Sequence, residues 1–385
     1  STDSSESIIK KYEYNKSIKT IFQNQLGLNA SNNTALKIAK GDYIIRLDAD
    51  DYFYPSAVKK LINVIHKNKD TALVFPDYDI VDEHNTIIRT VKRHDFKNDV
   101  TLFDQPAHGA CTLIRKSILD EIGGYDSQFD RQDGYDLWLK IIKKYKVKNI
   151  NEPLFSYRQH NKNLTKDDYQ LLRTRAKIKA KHVIKEKYKP LDVLAIIPIR
   201  GTEIDPSSNS LEILGDKSLS DWTIQAALNS IKLNKIIVST PDQKIHKHLK
   251  DNYKDDSIII VDRNLKYARI NYAIEKTVFE SYNKYIKDNP KPDAIMILYI
   301  DYPFKRGWQI DEIIDTMQIF NVDVVDGIKL DDRFYYKHEG GGLKPIVKGG
   351  GLHLERDQLY RRVGGMHLIN TNFFLKHNKV IAGKI

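Results

Sequence analysis

The chain has 385 residues, of which 41% are hydrophobic, and it carries a formal net charge of +11. A chain of this length is predicted to form two domains, because it is longer than a single hydrophobic core usually supports. The single cysteine excludes a disulfide framework, and no apolar run reaches the ~18 residues of a membrane span. A cytoplasmic enzyme, at most peripheral to a membrane, is expected. The lysines are spread along the chain and form no basic block, so no nucleic-acid partner is expected.

Strand-like runs alternate with helical patterns in the first half of the chain. This alternation predicts an α/β fold with mostly parallel sheets. Helical spacing follows Pro55, a residue that suits the first turn of a helix. In chain order, the predicted elements are strand 42–49, helix 55–68, strand 71–81, strand 110–115 and helix 134–145.

A polar, lysine-rich helix predicted over 161–190 marks the domain boundary. The expected organisation is a first domain at 1–165, a helical linker at 166–190 and a second domain at 191–385. Two glycine runs, Gly340–Gly342 and Gly349–Gly351, predict a mobile hairpin or lid. The predicted elements of the second half are strand 193–201, helix 220–230, strand 235–240 and strand 294–300.

Three carboxylates, Asp48, Asp50 and Asp51, come at the end of the predicted strand 42–49. Side chains two apart on an extended strand project to the same side, so Asp48 and Asp50 would face one ligand. Open α/β sheets bind ligands outside the carboxyl ends of their strands. Two carboxylates there favour Mg²⁺ or Mn²⁺, held together with substrate phosphates. The alternative is a turn, because Asp side chains also supply turn hydrogen bonds.

The stretch GLNASNNTALKIAKGDYIIRLDADD at 27–51 resembles the glycosyltransferase family 2 signature, in which G-x-x-x-A-R-N precedes a strand ending in D-x-D. Three later stretches, at 109–129, 132–138 and 157–165, resemble further landmarks of that family in the expected order. The resemblance covers 1–165. It implies a Rossmann-like GT-A fold and sugar transfer with inversion at the sugar carbon.

The resemblance implies roles for three acidic residues. Asp48 and Asp50 would hold a divalent metal that bridges the donor's diphosphate and stabilises the leaving group. Asp133, in the stretch QDGYD, matches the family's catalytic base, which takes the proton of the acceptor hydroxyl. The alternative for Asp133 is an N-cap of the helix 134–145.

The same resemblance implies further members of a nucleotide-sugar site. His160 matches a family position near the diphosphate, although a satisfied surface or packing residue is the alternative. Asn33 keeps the last residue of the A-R-N motif, whereas the family's Arg is Asn32 here. His108 and Gly109 precede a strand where this family binds the acceptor. The family's first strand and the acidic pair that holds the nucleotide base would precede the first residue, so an N-terminal truncation is expected.

The stretch 193–230 resembles the opening of acylneuraminate cytidylyltransferases, which make CMP-sialic acid. The resemblance covers 191–385 and implies a second Rossmann-like nucleotide-sugar domain. In that family, backbone N–H groups of a Gly-rich loop bind a triphosphate, and basic residues neutralise its charge. Arg200, Gly201 and Lys217 match its nucleotide-binding positions, and the alternative for the first two is a simple strand-to-helix turn.

Departures from the cytidylyltransferase pattern predict that the second domain is degenerate. Glu203 and Ile204 align with the Ser-Lys pair of the family's phosphate-binding loop, so one positive charge is lost and a negative one is added. Each lost charged contact costs about 1.5–3 kcal/mol. Lys305 keeps a basic position of the family. The family's late metal-binding acids would lie after Ile385, so a C-terminal truncation is expected.

The leading hypothesis is a metal-dependent inverting glycosyltransferase of surface polysaccharide synthesis. Its partners would be a nucleotide-sugar donor and a glycan or lipid-linked acceptor, and resemblance to the cytidylyltransferases suggests a homodimer. A first alternative is an active CMP-sugar synthetase that uses CTP and a nonulosonic-type sugar. A second alternative is a non-catalytic scaffold that binds nucleotide-sugars.

Overall fold

The computed structural model divides into two compact units, Ser1–Arg175 and Ala176–Ile385. Within the described part of the chain, no helix is both long enough and apolar enough to cross a membrane. The structure describes residues 3–92, 99–160, 167–254, 256–331, 333, 335–338, 340–346 and 359–381.

The first unit places helices around one mixed sheet, whose strands follow the order β1–β5–β3–β6–β2 with β4 beside β3. A further helix, α6 (Asp168–Lys185), spans the boundary between the units. The strands are β1 (Tyr43–Ile45), β2 (Tyr52–Phe53), β3 (Thr71–Val81), β4 (Ile87–Val91), β5 (Leu113–Arg115) and β6 (Lys146–Arg158). The helices are α1 (Ser5–Lys10), α2 (Leu28–Ile38), α3 (Ala57–Lys67), α4 (Lys116–Ile122) and α5 (Asp133–Ile141).

The core of the first unit is built on β3 and on the amphipathic helix α3. All eleven residues of β3 are buried, as expected for a central strand covered on both faces. On α3, the buried residues Ala57, Leu61 and Ile65 recur every four positions and form one apolar stripe. The predicted helix 55–68 and strand 71–81 therefore match observed elements closely.

The α/β class is confirmed, and the strand directions differ between the two sheets. In the first unit β3 and β6 pair in parallel, whereas β5 lies antiparallel between β1 and β3. Strands β2 and β4 also pair antiparallel with their neighbours. The first sheet therefore contains fewer parallel pairs than the sequence predicts, because short return strands are inserted at its centre and edges.

The second unit is a six-stranded sheet in the order β11–β10–β7–β12–β16–β13, flanked by helices. Its other strands form the hairpins β8–β9 and β14–β15. The strands are β7 (Val193–Pro198), β8 (Ile213–Leu214), β9 (Lys217–Ser218), β10 (Lys235–Thr240), β11 (Ile258–Asp262), β12 (Ala294–Leu298), β13 (Val324–Asp331), β14 (Tyr336–His338), β15 (Leu343–Pro345) and β16 (Leu359–Asn370). The helices are α7 (Leu219–Leu228), α8 (Gln243–Asn252), α9 (Leu265–Ala268), α10 (Ile274–Tyr285), α11 (Gly307–Phe320) and α12 (Thr371–His377).

Parallel pairing dominates the centre of the second sheet, as predicted. Strands β11, β10, β7 and β12 are parallel neighbours, and β16 and β13 complete the sheet antiparallel. Every residue of β12 is buried, because helices cover both faces of such a sheet. The carboxyl ends of the parallel strands meet at one edge, where ligands bind in open α/β sheets.

The first of the two glycine runs lies in a hairpin, as predicted. Strand β14 pairs antiparallel with β15, and Gly340 and Gly342 adopt positive φ between them. Glycine takes this conformation without the steric cost that a Cβ brings. The second run, Gly349–Gly351, lies outside the described residues, and the mobility of the hairpin stays a prediction.

Candidate functional site

A cavity of about 880 Å³ opens in the first unit beside the D-x-D stretch. We call it the Asp133 cavity. It brings together four residues of the predicted site: Asp48, Asp50, Asp133 and His160. Their side chains come from the segment after β1, from the start of α5 and from the segment after β6. Residues more than a hundred positions apart in the chain thus reach one cavity.

Asp48 and Asp50 lie in a turn, which corrects the predicted strand. Strand β1 ends at Ile45, and the backbone N–H of Asp51 donates to the carbonyl of Asp48 at 3.1 Å. Strand alternation therefore cannot be the reason that the two carboxylates share a cavity. The turn brings them there instead, in keeping with the preference of Asp for turns.

Arg46 links the D-x-D stretch to Asp133. Its Nη1 lies 2.5 Å from Asp133 Oδ2, and its Nε lies 3.0 Å from Asp48 Oδ1. The Arg46 side chain is only 12% exposed. Although burial disfavours the charged guanidinium, Asp133 and Asp48 together raise the pKa of Arg46. Sequence reasoning missed this residue, since an arginine in an apolar strand gives no motif signal.

His160 contacts the second carboxylate of the D-x-D stretch, and its predicted place near a diphosphate stays a prediction. Its Nε2 lies 3.0 Å from Asp50 Oδ2. Nearby, Arg158 anchors the turn, because its backbone N–H donates to Asp51 Oδ1 and its Nε donates to the carbonyl of Asp50, both at 2.9 Å. Arg158, the last residue of β6, therefore holds the D-x-D turn in place.

Asp133 is the first residue of α5 and not its N-cap. The N-cap is Gln132, in the left-handed conformation, and no side chain caps the helix end. Asp133 is buried, yet only its Oδ2 has a bonded partner, Arg46, among the described residues. The Oδ1 atom therefore accepts no hydrogen bond from the described residues. A carboxylate at the first turn also interacts favourably with the helix dipole.

Gly109 makes room for the Arg46–Asp133 pair. A Cβ at this position would lie 2.6 Å from Arg46 Nη2 and 2.7 Å from Asp133 Oδ2. Both distances are too short for a side chain, so Gly109 is needed for close approach of the backbone to the pair. The sequence singled out Gly109 for acceptor binding, and the structure places it beside the predicted base.

A bound cation would reduce the electrostatic repulsion among the carboxylates of the turn. Burial raises the pKa of Asp48, and although Arg46 opposes this, the charges of Asp133 and Asp50 add to it. Burial raises the pKa of Asp51 to about 7 against the Arg158 hydrogen bond, and Asp50 and Asp48 raise it further. The buried Asp51 Oδ2 has no hydrogen-bond partner. Neighbouring carboxylates repel each other unless a proton or a cation neutralises part of their charge.

The donor set fits Mg²⁺ or Mn²⁺ bound jointly with a ligand. Within the described ranges, no three His, Cys, Asp or Glu side chains form a complete metal cage. Such a cage is not required, because Mg²⁺ is commonly held by one or two carboxylates plus substrate phosphates. Asp48 and Asp50 supply hard carboxylate oxygens of this kind. The side chains are 30% and 39% exposed, so a ligand in the cavity can reach them.

Asn33 lies apart from the other predicted site residues. Its Nδ2 donates to the carbonyl of Tyr125 at 2.7 Å, and its Oδ1 accepts from the N–H of Tyr125 at 2.9 Å. This pairing fastens α2 to the loop after α4. The neighbouring Asn32 lines the cavity instead, with a buried Nδ2 that has no partner. Asn32 is thus a site candidate that the sequence presented only as a departure from the family motif.

Comparison with known families gives a match within the first unit. The family model of glycosyl transferase family 2 matches residues 1–123. We call the first unit, Ser1–Arg175, the family 2 domain because of this match. The match confirms the predicted resemblance over 1–123, which includes the D-x-D turn and Gly109, whereas Asp133 and His160 lie beyond the matched residues.

Several curated relatives of the chain are named glycosyltransferases. An uncharacterized glycosyltransferase of Methanocaldococcus jannaschii is 30% identical over 198 residues, covering 48% of this chain and 64% of the relative. The chondroitin synthase of Pasteurella multocida is 27% identical over 166 residues, covering 42% of this chain and 17% of the synthase. The chain thus spans less than two thirds of these relatives.

Structural comparison does not extend the identification beyond the family 2 domain. A solved structure of CMP:2-keto-3-deoxy-manno-octonic acid synthetase complexed with CTP aligns at 14% identity and a TM-score of 0.37. The alignment covers 50% of this chain and 79% of the synthetase. A likeness at this level carries no argument about function. The predicted cytidylyltransferase resemblance of 191–385 and its degeneracy therefore stay predictions.

Outside the family 2 domain, Arg200 and Gly201 follow β7 at the carboxyl edge of the second sheet. Gly201 has a φ of +79°, and a Cβ there would lie 2.3 Å from Asp242 Oδ2. Asp242 accepts a hydrogen bond from the N–H of Thr202 at 2.9 Å and caps α8. Arg200 Nη1 lies 3.6 Å from Asp205 Oδ2. These contacts join the turn after β7 to the start of α8, and the nucleotide-binding role of Arg200 and Gly201 stays a prediction.

Lys217, the third predicted nucleotide-binding residue, contacts an aromatic ring. Its Nζ lies 4.8 Å from the centre of the Trp222 ring, in a cation–π contact. Arg263, which the sequence did not single out, follows β11 and is 5% exposed. Burial and the charge of Arg200 lower the pKa of Arg263 to about 10. Arg200 and Arg263 therefore lie at the same edge of the second sheet. The Lys that the resemblance implies in the phosphate-binding loop is Ile204 in this chain.

Lys305 is expected to make the second unit more stable as the pH rises above 7. Burial lowers the pKa of Lys305 to about 7, although Asp301 opposes the shift. Between this value and the ordinary lysine pKa, the unfolded chain binds a proton that the folded chain does not, so stability increases with pH. The gain from pH 7 to 8.5 is on the order of 1.5 kcal/mol.

The measurement is urea unfolding followed by hydrogen exchange in the β12 peptide, at both pH values. Lys305→Met should lose the pH-dependent gain, and the exposed Lys287→Met should keep it. An equal gain in the Lys305→Met variant would show that another group causes the pH dependence.

Proposed function

We propose that the family 2 domain is a metal-dependent inverting glycosyltransferase that moves a sugar from a nucleotide-sugar to a hydroxyl of a glycan or lipid-linked acceptor. The observation that carries the proposal is the joining of Asp133 and Asp48 by Arg46 in a cavity that also holds Asp50. A base and a metal-binding turn are thereby held at a fixed spacing. We further propose that this sugar transfer serves surface polysaccharide synthesis.

In the proposed reaction, the acceptor hydroxyl attacks the sugar carbon that carries the diphosphate. A new carbon–oxygen bond forms as the bond to the diphosphate oxygen breaks, and the nucleoside diphosphate leaves. Asp133 Oδ1 accepts the hydroxyl proton, while Arg46 holds Oδ2 and fixes the direction of the carboxylate. Because Asp133 is buried, the proton transfer takes place away from bulk water.

Asp48 and Asp50 are the proposed ligands of Mg²⁺ or Mn²⁺. When bound, the metal supplies positive charge to the diphosphate as it departs. His160 Nε2 lies beside Asp50, where it can donate to a phosphate oxygen or orient the carboxylate. Asn32 Nδ2 offers a further buried donor toward the cavity. These residues bind and orient the donor, and Asp133 carries out the proton transfer.

The proposal is tested by nucleotide binding with and without metal. We expect the chain to bind a nucleoside diphosphate in calorimetry only when Mn²⁺ is present, with UDP, GDP and CDP as probes. Asp48→Asn combined with Asp50→Asn should weaken this binding by about 10²-fold or more, since two charged contacts are lost.

A matched control is Asp120→Asn on α4, where the exposed Asp120 pairs with Lys116. This variant should bind the Mn²⁺–nucleotide as the unchanged chain does. Binding that persists without metal, or that survives loss of both Asp48 and Asp50, would contradict the proposal.

A further inference from the structure

The carboxylates that line the Asp133 cavity have partners, whereas two of its arginines have no carboxylate partner among the described residues. Each of the three carboxylates has a partner within the cavity: Arg46 contacts Asp48 and Asp133, and His160 contacts Asp50. The positive charges of Arg89 and Arg175 have no carboxylate partner among the described residues, and both line the same cavity. Two guanidinium groups that line the cavity thus remain without an anionic partner in the described part of the chain after the internal contacts have formed.

Arg175 belongs to the part of the cavity that surrounds the proposed base. Its Nε donates to Gln132 Oε1 at 2.7 Å, and Gln132 immediately precedes Asp133. Its guanidinium lies 5.4 Å from the centre of the Tyr135 ring on the first turn of α5. This stacking and the single hydrogen bond hold the guanidinium in place. Four of its five N–H donors remain available to an anionic group.

A second feature of the cavity is a cluster of aromatic rings. Tyr78 lies 5.2 Å from His108, and His108 lies 4.9 Å from Tyr157, measured between ring centres. All three line the cavity, and Arg89 lies on the strand β4 that pairs with β3, which contains Tyr78. Aromatic faces with a few directed polar groups are the usual lining of a site for a ring-shaped ligand.

We infer that the acceptor is an anionic glycan, which carries a carboxylate or a phosphodiester close to the hydroxyl that reacts. Arg175 and Arg89 bind the anionic groups, and the Tyr78–His108–Tyr157 cluster packs against a sugar ring. The inference rests on the proposed glycosyltransferase function and adds the class of acceptor. The net charge of +11 agrees with it, because a basic protein attracts an anionic polymer at long range.

The donor does not account for these arginines. Its diphosphate is matched by the metal that Asp48 and Asp50 would hold, together with His160. Arg175, in contrast, is tied to Gln132 beside the base, where the acceptor hydroxyl must lie for its proton to be taken. A positive group at this point selects the acceptor by charge.

The test compares three probes in calorimetry: a glucuronate-containing tetrasaccharide, its carboxyl-reduced neutral counterpart and a glycerol-phosphate oligomer. We expect at least one anionic probe to bind tenfold or more tightly than the neutral one, with affinity that falls as salt rises. Preference for the glucuronate probe identifies a carboxylate acceptor, and preference for the glycerol-phosphate oligomer identifies a phosphodiester acceptor. Arg175→Gln combined with Arg89→Gln should remove about tenfold of this affinity.

Arg173→Gln is the matched control, because Arg173 lies on the same helix and contacts Tyr169 without lining the cavity. It should leave the binding of all three probes unchanged. The inference is overturned if neither anionic probe binds more tightly than the neutral one, or if the double variant keeps its affinity. It is also overturned if the double variant loses Mn²⁺–nucleotide binding, since the arginines would then serve the donor. Failure of the proposed function is separate, since it shows as absence of Mn²⁺-dependent nucleotide binding in the unchanged chain.

Discussion

Asp133→Asn is expected to lower the rate of sugar transfer by about 10²–10⁴-fold, the range that a positioned general base contributes. The amide cannot accept the hydroxyl proton, although it fills nearly the same space. Because Asp133 lies outside the D-x-D turn, the affinity for Mn²⁺–nucleoside diphosphate should change by less than about threefold. The measurement is nucleoside diphosphate release from UDP- and GDP-sugars in the presence of glycan acceptors.

Two comparisons separate this effect from a folding defect. Asp133 pairs with buried Arg46, so the variant's stability must be measured by hydrogen exchange in the β3 peptide. Asp136→Asn, three residues further along α5, breaks a buried pair with Lys140 in the same helix and serves as a structural control. Transfer at an unchanged rate in the folded Asp133→Asn variant would show that another group takes the proton.

The sequence predicted the components of the site better than the local structure that holds them. The D-x-D carboxylates, Asp133 and His160 all reach one cavity, although the observed strand β1 ends three residues before Asp48 and the predicted strand extended to residue 49. The error has a physical cause, since an apolar run followed by Asp residues fits both a longer strand and a strand followed by a turn. Boundaries were predicted best where burial is continuous, as in β3 and β10, whose bounds match residue for residue.

Long-range partners could not be predicted from one sequence. Strand β6 mixes exposed and buried residues and contains Pro153, so its pattern does not indicate a strand. Yet β6 supplies Arg158, which anchors the D-x-D turn by two hydrogen bonds. Asn33 also has a long-range partner that its motif position does not indicate, and its predicted role in ligand binding stays a prediction. Its side chain holds the backbone of Tyr125.

Arg46→Met is expected to destabilise the first unit by about 3–5 kcal/mol, the cost of breaking a buried ion pair by removing one partner. The side chain is buried and serves two carboxylates, so its loss leaves Asp133 and Asp48 without their positive partner. Methionine preserves most of the volume and removes the charge. The measurement is hydrogen exchange in the β3 peptide, which reports the free energy of opening of the first unit.

Lys60→Met provides the comparison for Arg46→Met, because Lys60 pairs with Glu152 on the surface, where both side chains are at least 40% exposed. Exposed pairs contribute at most about 1 kcal/mol, so this variant should remain close to the unchanged chain. Arg46→Lys separates charge from shape: a point charge can contact one carboxylate but cannot span both as the guanidinium does. We therefore expect it to recover part of the stability and little of the transfer rate. If Arg46→Met lowered the free energy of unfolding no more than Lys60→Met does, Asp133 and Asp48 would not depend on Arg46 for stability. The proposed link through Arg46 between the base and the D-x-D turn would then be wrong.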